Sequence, residues 1–338
     1  MSPGGNDKYR DRAMSSDVIA FSVSYEHDNL LARGLGLEHI RELLIRLARP
    51  ILRRGASLAY GGHWKEMDGN FTFELLRLIS AEQEDNSIGG PDTNLQIGIL
   101  YNHASWPNYL TISRNTEAQW ISACRIVRIT QQQAGFADPE IVTDADSGTG
   151  TPRAIFNAAV TLSAMRRLAM TPLQIEVRGG TPEPVPPVSA RILLGGKVES
   201  FSGFLPGLFE EALVTLEHQR PIYILGGFGG AAEVLASAIL DEKLPAAFEA
   251  DWLLARNPTL ARLLDIAKGF AMPAGARTTQ EMLGALSRFL RNAHANPAAV
   301  LCTGLSDDDT RELLRTRSVA TAVSLVRHGL IAGGKLPA

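Results

Sequence analysis

Two adjacent carboxylates, Glu210 and Glu211, follow Pro206-Gly207-Leu208-Phe209 where a helix is expected to begin. Spaced i, i+1, they lie on different helix faces, so at most one can face a ligand while the other is solvated or pairs locally. A carboxylate beside a bound sugar can stabilise the oxocarbenium-like transition state of N-glycoside cleavage, or position water. The ordinary alternative is two acids complementing the helix dipole, worth about 0.3–1 kcal/mol each. Arg166 and Arg167, in Met165-Arg166-Arg167, fall late in another expected helix. They either complement its carboxyl end or clasp a phosphate or carboxylate through a planar guanidinium. Among seven histidines only His63 falls in an expected sheet-edge loop, beside Trp64, whose ring can stack on a base or pack under the loop. No histidine pair has the i, i+4 spacing of a helical metal site, and no GxSxG elbow is present. Cys124 and Cys302 lack a CxxC partner. They are expected as two thiols, and neither a metal nor a cofactor is called for.

Glycine pairs at the ends of apolar runs position these residues. Arg191-Ile192-Leu193-Leu194 ends in Gly195-Gly196-Lys197, and Pro221-Ile222-Tyr223-Ile224-Leu225 ends in Gly226-Gly227-Phe228-Gly229-Gly230. LAYGG at 58–62 repeats the pattern. Runs this short and apolar read as strands buried on both faces. Glycines at their carboxyl ends let the backbone turn and approach a ligand, and the next helix offers its N–H groups to an anion. Neither GxGxxG nor GxxxxGK[ST] is matched. Ordinary turn glycines would account for any one pair, but three on one sheet edge converge on one crevice. Ser24, Gly61, Gly62, His63, Gly195, Gly196, Lys197, Pro206, Gly207, Glu210, Gly226, Gly227, Phe228 and Gly229 are therefore the candidate ligand-binding residues. Valine at Gly62 or Gly227 is expected to block the ligand while leaving the fold intact.

The remaining elements fit one parallel sheet. Strands are expected at Val18–Ser24, Ala56–Tyr60 and Leu95–Tyr101. Helices are expected over Glu38–Arg54, kinked by Pro50, then Phe71–Glu82, Trp120–Ala134 and onward from Pro152. Residues 83–94, 139–151 and 179–189 read as loops, and residues 1–16 as a disordered tail. After about residue 245 the chain reads as mostly helical, with one more strand possible at Ala298–Leu305. The expected architecture is α/β, a doubly wound mostly parallel sheet over 17–245 with a helical C-terminal extension over 246–338.

The bulk composition narrows the partners. Thirty-three basic and 36 acidic residues leave a net charge of −3, so no whole-chain basic excess argues for nucleic acid. The polar start has no apolar signal core, and no segment approaches the roughly 18 apolar residues of a membrane span. A cytoplasmic location is expected.

These motifs, in this order, resemble the LOG-type phosphoribohydrolases, which carry a strand ending in YGGG, an Arg in M-H-x-R-K, and PGGxGTxxE. On that resemblance Tyr60-Gly61-Gly62 matches the first motif, and Arg166 or Arg167 takes the place of the functional arginine. Glu211 falls on the last glutamate and Gly207 on the middle glycine. The chain departs at Gly203-Phe204-Leu205 and at Leu208, which stands where the family has a phosphate-contacting threonine. The wider SLOG superfamily of DprA/LOG-like Rossmannoid domains is more similar, with GGK…PGxxEEAL and PxYxxGGFGGAA. Such domains occur beside NAD-processing effectors in bacterial conflict systems and bind ADP-ribose in melastatin-type channels. The resemblance implies a sensor of a nucleotide-derived, ADP-ribose-like or other NAD-derived signal in anti-phage defence. It would work with a separately encoded effector protein and as a homo-oligomer. The alternative is a nucleoside-phosphate N-glycosidase, a hydrolase using Glu211 with Arg166 or Arg167.

Overall fold

The computed structural model describes residues 17–25, 27–88, 96–176, 182–241 and 243–337. The tail expected at 1–16, part of the loop expected at 83–94, Leu95 and the start of the Pro-rich loop at 179 lie outside the described residues.

The first strand, β1 (Val18–Ser24), leads through the short α1 (His27–Leu31) to α2 (Leu37–Arg53). Ile40, Leu43, Leu44, Leu47, Ile51 and Leu52 form the buried stripe of α2, and the helix carries Pro50 in its last turn. β2 (Ser57–Ala59) follows, then α3 (Thr72–Ile88), which runs past the loop expected from residue 83. Gln83 to Ser87 are polar but hold neither Gly nor Pro, so they continue the helix on its solvent side. β3 (Leu100–Ser105) begins later than expected. Its polar half, Asn102, His103 and Ser105, hides a strand from hydropathy although all six of its residues are buried.

The segment expected as a helix over 120–134 is instead a turn that follows α4 (Arg114–Gln119), the edge strand β4 (Cys124–Ile129) and a second turn. Cys-Arg-Ile-Val-Arg-Ile is β-branched, and its two arginines lie at half-buried positions where Glu183 and Glu117 bind them. α5 (Pro152–Leu168) starts as expected, with the Thr151 hydroxyl accepting from the Ala154 amide. Part of the expected Pro-rich loop is structured: β5 (Leu173–Ile175) and β6 (Glu183–Val185) pair as an antiparallel ribbon. β7 (Val188–Gly195) follows directly, then α6 (Gly207–Glu217), β8 (Ile222–Leu225) and α7 (Gly230–Leu240).

The C-terminal part comprises α8 (Ala250–Arg256), α9 (Pro258–Ala267), α10 (Thr279–Ala295), α11 (Pro297–Val300), α12 (Asp307–Arg315) and α13 (Val319–Ala332). The strand considered at 298–305 is α11 and a turn. The turn still meets the sheet, because the Leu301 carbonyl accepts from the Ile222 amide at 2.9 Å.

The strand order is β4-β3-β2-β1-β7-β8, all parallel. From β1 the chain adds strands outward to β4, then returns to the other side of β1 with β7. The switch point therefore lies between the carboxyl ends of β1 and β7, where open α/β sheets bind ligands. Alternation along the strands feeds two apolar layers. Ile19, Phe21, Ile192 and Leu194 pack with α2, α3 and α13, whereas Val18, Ala20 and Leu193 pack with α5, α6 and α7. The C-terminal helices join both layers: α10 lies on α6 and α7, and α13 on α2.

The glycines after β8 serve this packing. A Cβ at Gly226 would meet the Leu314 carbonyl, and one at Gly227 would overlap the Thr316 carbonyl at the end of α12. At Gly62 a Cβ would overlap the Tyr60 ring and the Thr72 hydroxyl. Valine at either position therefore disturbs the fold itself, contrary to the expectation from sequence. Gly227→Ala is expected to lower unfolding free energy by about 1–3 kcal/mol, the usual cost of overpacking against fixed backbone. Urea denaturation checks this, and an unchanged midpoint would refute the close approach.

Candidate functional site

A cavity of about 530 Å³ opens at the carboxyl edge of the sheet. Ser24 and Tyr25 reach it from β1, the loop Gly61–Asn70 from β2, and His103 to Ser105 from β3. Met165 and Arg166 of α5 form a side wall. Lys197, Ser200, Phe201 and Ser202 come from the β7–α6 loop, and Gly207, Leu208 and Glu211 from the first turns of α6. Opening turns of a helix carry amide N–H groups without intrahelical acceptors, so this wall favours an acceptor or anion.

Asn102 holds one side of the crevice in place. It is fully buried; its side-chain amide donates to the carbonyls of Tyr60 at 2.9 Å and Gly62 at 3.1 Å, and its Oδ1 accepts from Trp64 Nε1 at 2.9 Å. Asn70 fastens the far end by donating to the carbonyls of His63 at 2.6 Å and Lys65 at 2.7 Å. The Trp64 ring thus stands in the wall with its polar edge already satisfied, leaving its face to apolar contact.

Two carboxylates and two guanidiniums meet below the α6 wall. Glu210 is buried and accepts a hydrogen bond from Arg166, itself buried. Glu211 turns the other way, into the crevice, as the i, i+1 spacing requires. Behind it stands Arg191, 3.7 Å from its carboxylate. Arg191 is buried inside the sheet. Its Nε donates to the Thr215 hydroxyl and one Nη to the Ser22 hydroxyl, both at 2.9 Å. Thr215 in turn donates to the Glu211 carbonyl at 2.6 Å. Burial pushes the Arg191 pKa down, Glu211 pulls it up, and Arg166 lowers it further. His103 is buried beside this group. Burial, and then the Arg191 charge, push its pKa down to about 4 against a weaker opposing hydrogen bond with the Tyr101 backbone, so the ring is neutral at pH 7.

Ser24, Gly61, Gly62, His63, Lys197, Gly207, Glu211 and Arg166 are thus brought together around one cavity. The other candidates lie elsewhere. Gly195 and Gly196 adopt φ of +67° and +92°, and the Gly196 amide donates to the Ser24 carbonyl at 2.8 Å. Its carbonyl accepts from Ala231 at 2.9 Å, so the pair stitches β1 to α7 rather than touching the cavity. Pro206 caps α6 and is buried. Gly226, Gly227 and Phe228 are packed under α12 and the sheet, and Gly229 abuts Arg33. Arg167 turns away from the crevice toward Gly275. Leu208, at the threonine position of the resembled motif, is a buried apolar part of the wall.

Asn102, His103 and Arg191 are site residues that do not stand among the candidates expected from sequence. The available signal was the same for all three: a polar or charged residue inside a run otherwise fit for a strand buried on both faces. Such a residue needs a partner, and in a parallel sheet that partner is close to the ligand edge. Among the described residues no group of three or more His, Cys, Asp or Glu could hold a metal ion, and no helix is long and apolar enough to cross a membrane.

The family model described as SLOG cluster2 matches residues 13–313 of the chain. No curated protein matches it.

The lowered His103 pKa makes stability depend on pH. The folded state binds fewer protons than the unfolded chain between an unfolded value of about 6.5 and the folded value of about 4, so stability falls as pH drops through that window. The loss approaches roughly 3 kcal/mol at its acid end. Urea denaturation at pH 7.5 and pH 5 should show a smaller acid loss in His103→Asn than in the wild-type protein. Equal losses would place the charge sensitivity elsewhere.

Proposed function

The chain belongs to the SLOG cluster2 family, and from that premise and the crevice we propose that it is a binding module for a nucleotide-derived ligand. The finer reading is a sensor of an ADP-ribose-like or other NAD-derived signal that passes occupancy to a separately encoded effector, as in anti-phage defence. The observation that carries it is the cavity at the β1–β7 switch point. Its walls combine a tethered indole, a helix N-terminus and the Glu211 carboxylate. The indole face suits a base, the carboxylate suits sugar hydroxyls, and the open amides suit a phosphate.

The N-glycosidase reading rests on Glu211, which faces the same cavity and could stabilise a developing sugar cation. Two observations favour binding over cleavage. Leu208 adds no hydroxyl where a phosphate would be gripped, and the Arg166 guanidinium is already engaged by the buried Glu210. A phosphate clasp would therefore compete with an internal ion pair.

A panel of AMP, ADP-ribose, NAD and other nucleoside monophosphates separates the readings, with calorimetry for affinity and chromatography for released base. A sensor binds at least one of them and releases no base, and Glu211→Gln changes its affinity by about 1–2 kcal/mol. Catalytic release of base by the wild-type protein, reduced about a hundredfold or more in Glu211→Gln, would establish the glycosidase instead. Absence of binding across the panel would remove the nucleotide reading.

A further inference from the structure

Beneath the floor of the crevice lies a recess of about 20 Å³, room for a single water or hydroxyl. Gly61, His103, Met165, Arg166 and Glu211 line both spaces, and Arg191 stands at the inner end. Two of these side chains carry a buried polar atom with no partner among the described residues: His103 Nε2 and Arg166 Nε. His103 is only 5% exposed and Arg166 9%, so bulk water does not satisfy either atom.

The two unpaired atoms are of opposite kind. Arg166 Nε–H can only donate. The His103 ring is neutral, and its hydrogen bond with the Tyr101 backbone carbonyl uses its protonated nitrogen, which leaves the lone pair on Nε2. Glu211 adds a second acceptor. A phosphate oxygen could accept from Arg166 but would face the Glu211 charge and leave His103 unpaired. An ammonium could donate but would be repelled by two guanidiniums. A neutral group that both donates and accepts satisfies the two unpaired atoms, and a hydroxyl, which has one hydrogen for His103 Nε2 and a lone pair for Arg166 Nε–H, is the smallest one that a ligand can carry. Leaving such buried atoms unmatched costs the desolvation of each with nothing in return.

We propose that this recess is a hydroxyl subsite in which His103 and Arg166 read one ribose hydroxyl of the crevice ligand, directly or through one held water, and so select ribonucleotide-derived over deoxyribonucleotide-derived ligands. The inference rests on the nucleotide reading above and makes His103 a specificity-determining residue. Glu211 carries no selectivity alone, since a carboxylate accepts from any donor. The pairing of an acceptor with a donor inside a space of one-water size makes the choice.

Calorimetry on the full chain with AMP, 2′-deoxy-AMP and 3′-deoxy-AMP tests it. The wild-type protein should bind AMP at least about tenfold more tightly than one of the two deoxy forms, whose identity names the hydroxyl. In His103→Leu that preference should fall to within about twofold, chiefly by weaker AMP binding. His103→Asn, which keeps a polar atom, serves as the second variant should His103→Leu fail to fold, and should retain only part of the preference. Equal wild-type affinity for all three nucleotides means that the recess holds a fixed water only, and overturns the subsite while leaving the nucleotide reading intact. Undiminished discrimination in both His103 variants also overturns it. A thermal-shift comparison of free ribose with its 2-deoxy and 3-deoxy analogues separates the two readings. If no nucleotide binds but ribose alone stabilises the protein, the subsite stands and the nucleotide reading falls. If neither sugars nor nucleotides act, both fall.

Discussion

A guanidinium placed in the middle of a parallel sheet cannot be left to water, and the site is organised around how Arg191 is satisfied. Its donors reach Ser22 on β1 and Thr215 on α6, and its charge faces Glu211. One side chain therefore ties together the two strands that flank the switch point and the helix that walls the crevice. Glu211 is held from behind by a cation and from its own backbone by Thr215, so its carboxylate stays directed at the cavity. Arg166 and Glu210 make a second, tighter pair on the α5–α6 contact. Buried ion pairs of this kind add little net stability over apolar packing, yet removing one partner is costly. What they secure here is orientation.

Glycine has two uses along the same edge. At Gly61 and Gly207 the missing side chain leaves room at the crevice. A Cβ at Gly207 would come within 3.1 Å of Arg166, so α6 can sit against that guanidinium. At Gly195 and Gly227 the room is taken by the chain's own backbone, at Gly226 by the Leu314 carbonyl and the Ala236 side chain, and at Gly196 by the side chains of Leu208 and Ala231. A glycine-rich strand end therefore states that something comes close, without stating whether it is ligand or protein. The β8 loop shows the second case, because the C-terminal helices occupy the approach a ligand would need.

That ambiguity explains what could be understood from the residues alone. β1, α2, α5 and the run ending in Gly195-Gly196 carry one clear signal each: a mostly apolar strand, a clean 3.6-residue stripe, a Thr-Pro helix start, a glycine break. From them the doubly wound sheet and its ligand edge follow, and so does the separation of Glu210 from Glu211. β4 is not legible, because an edge strand whose two arginines, three residues apart, pair with acids outside the strand shows no alternation of its own. β3 begins later than its apolar half suggests, because its polar half looks like a loop. Of the polar residues that build the site, Asn102 and His103 spoil the strand pattern around them, while Arg191 stands unremarked at the start of its apolar run. The functional signal and the secondary-structure signal compete at the same positions.

The two borders of the sheet are finished differently. At one, β8 is only four residues long, and a carbonyl from the turn after α11 already occupies its first outward amide. At the other, β4 carries arginines clamped by acids. Short, capped or charged borders resist strand addition. Growth of this molecule into an assembly by extending its sheet is thus closed at both margins, and contact between copies is left to the helical faces and the loops around the crevice.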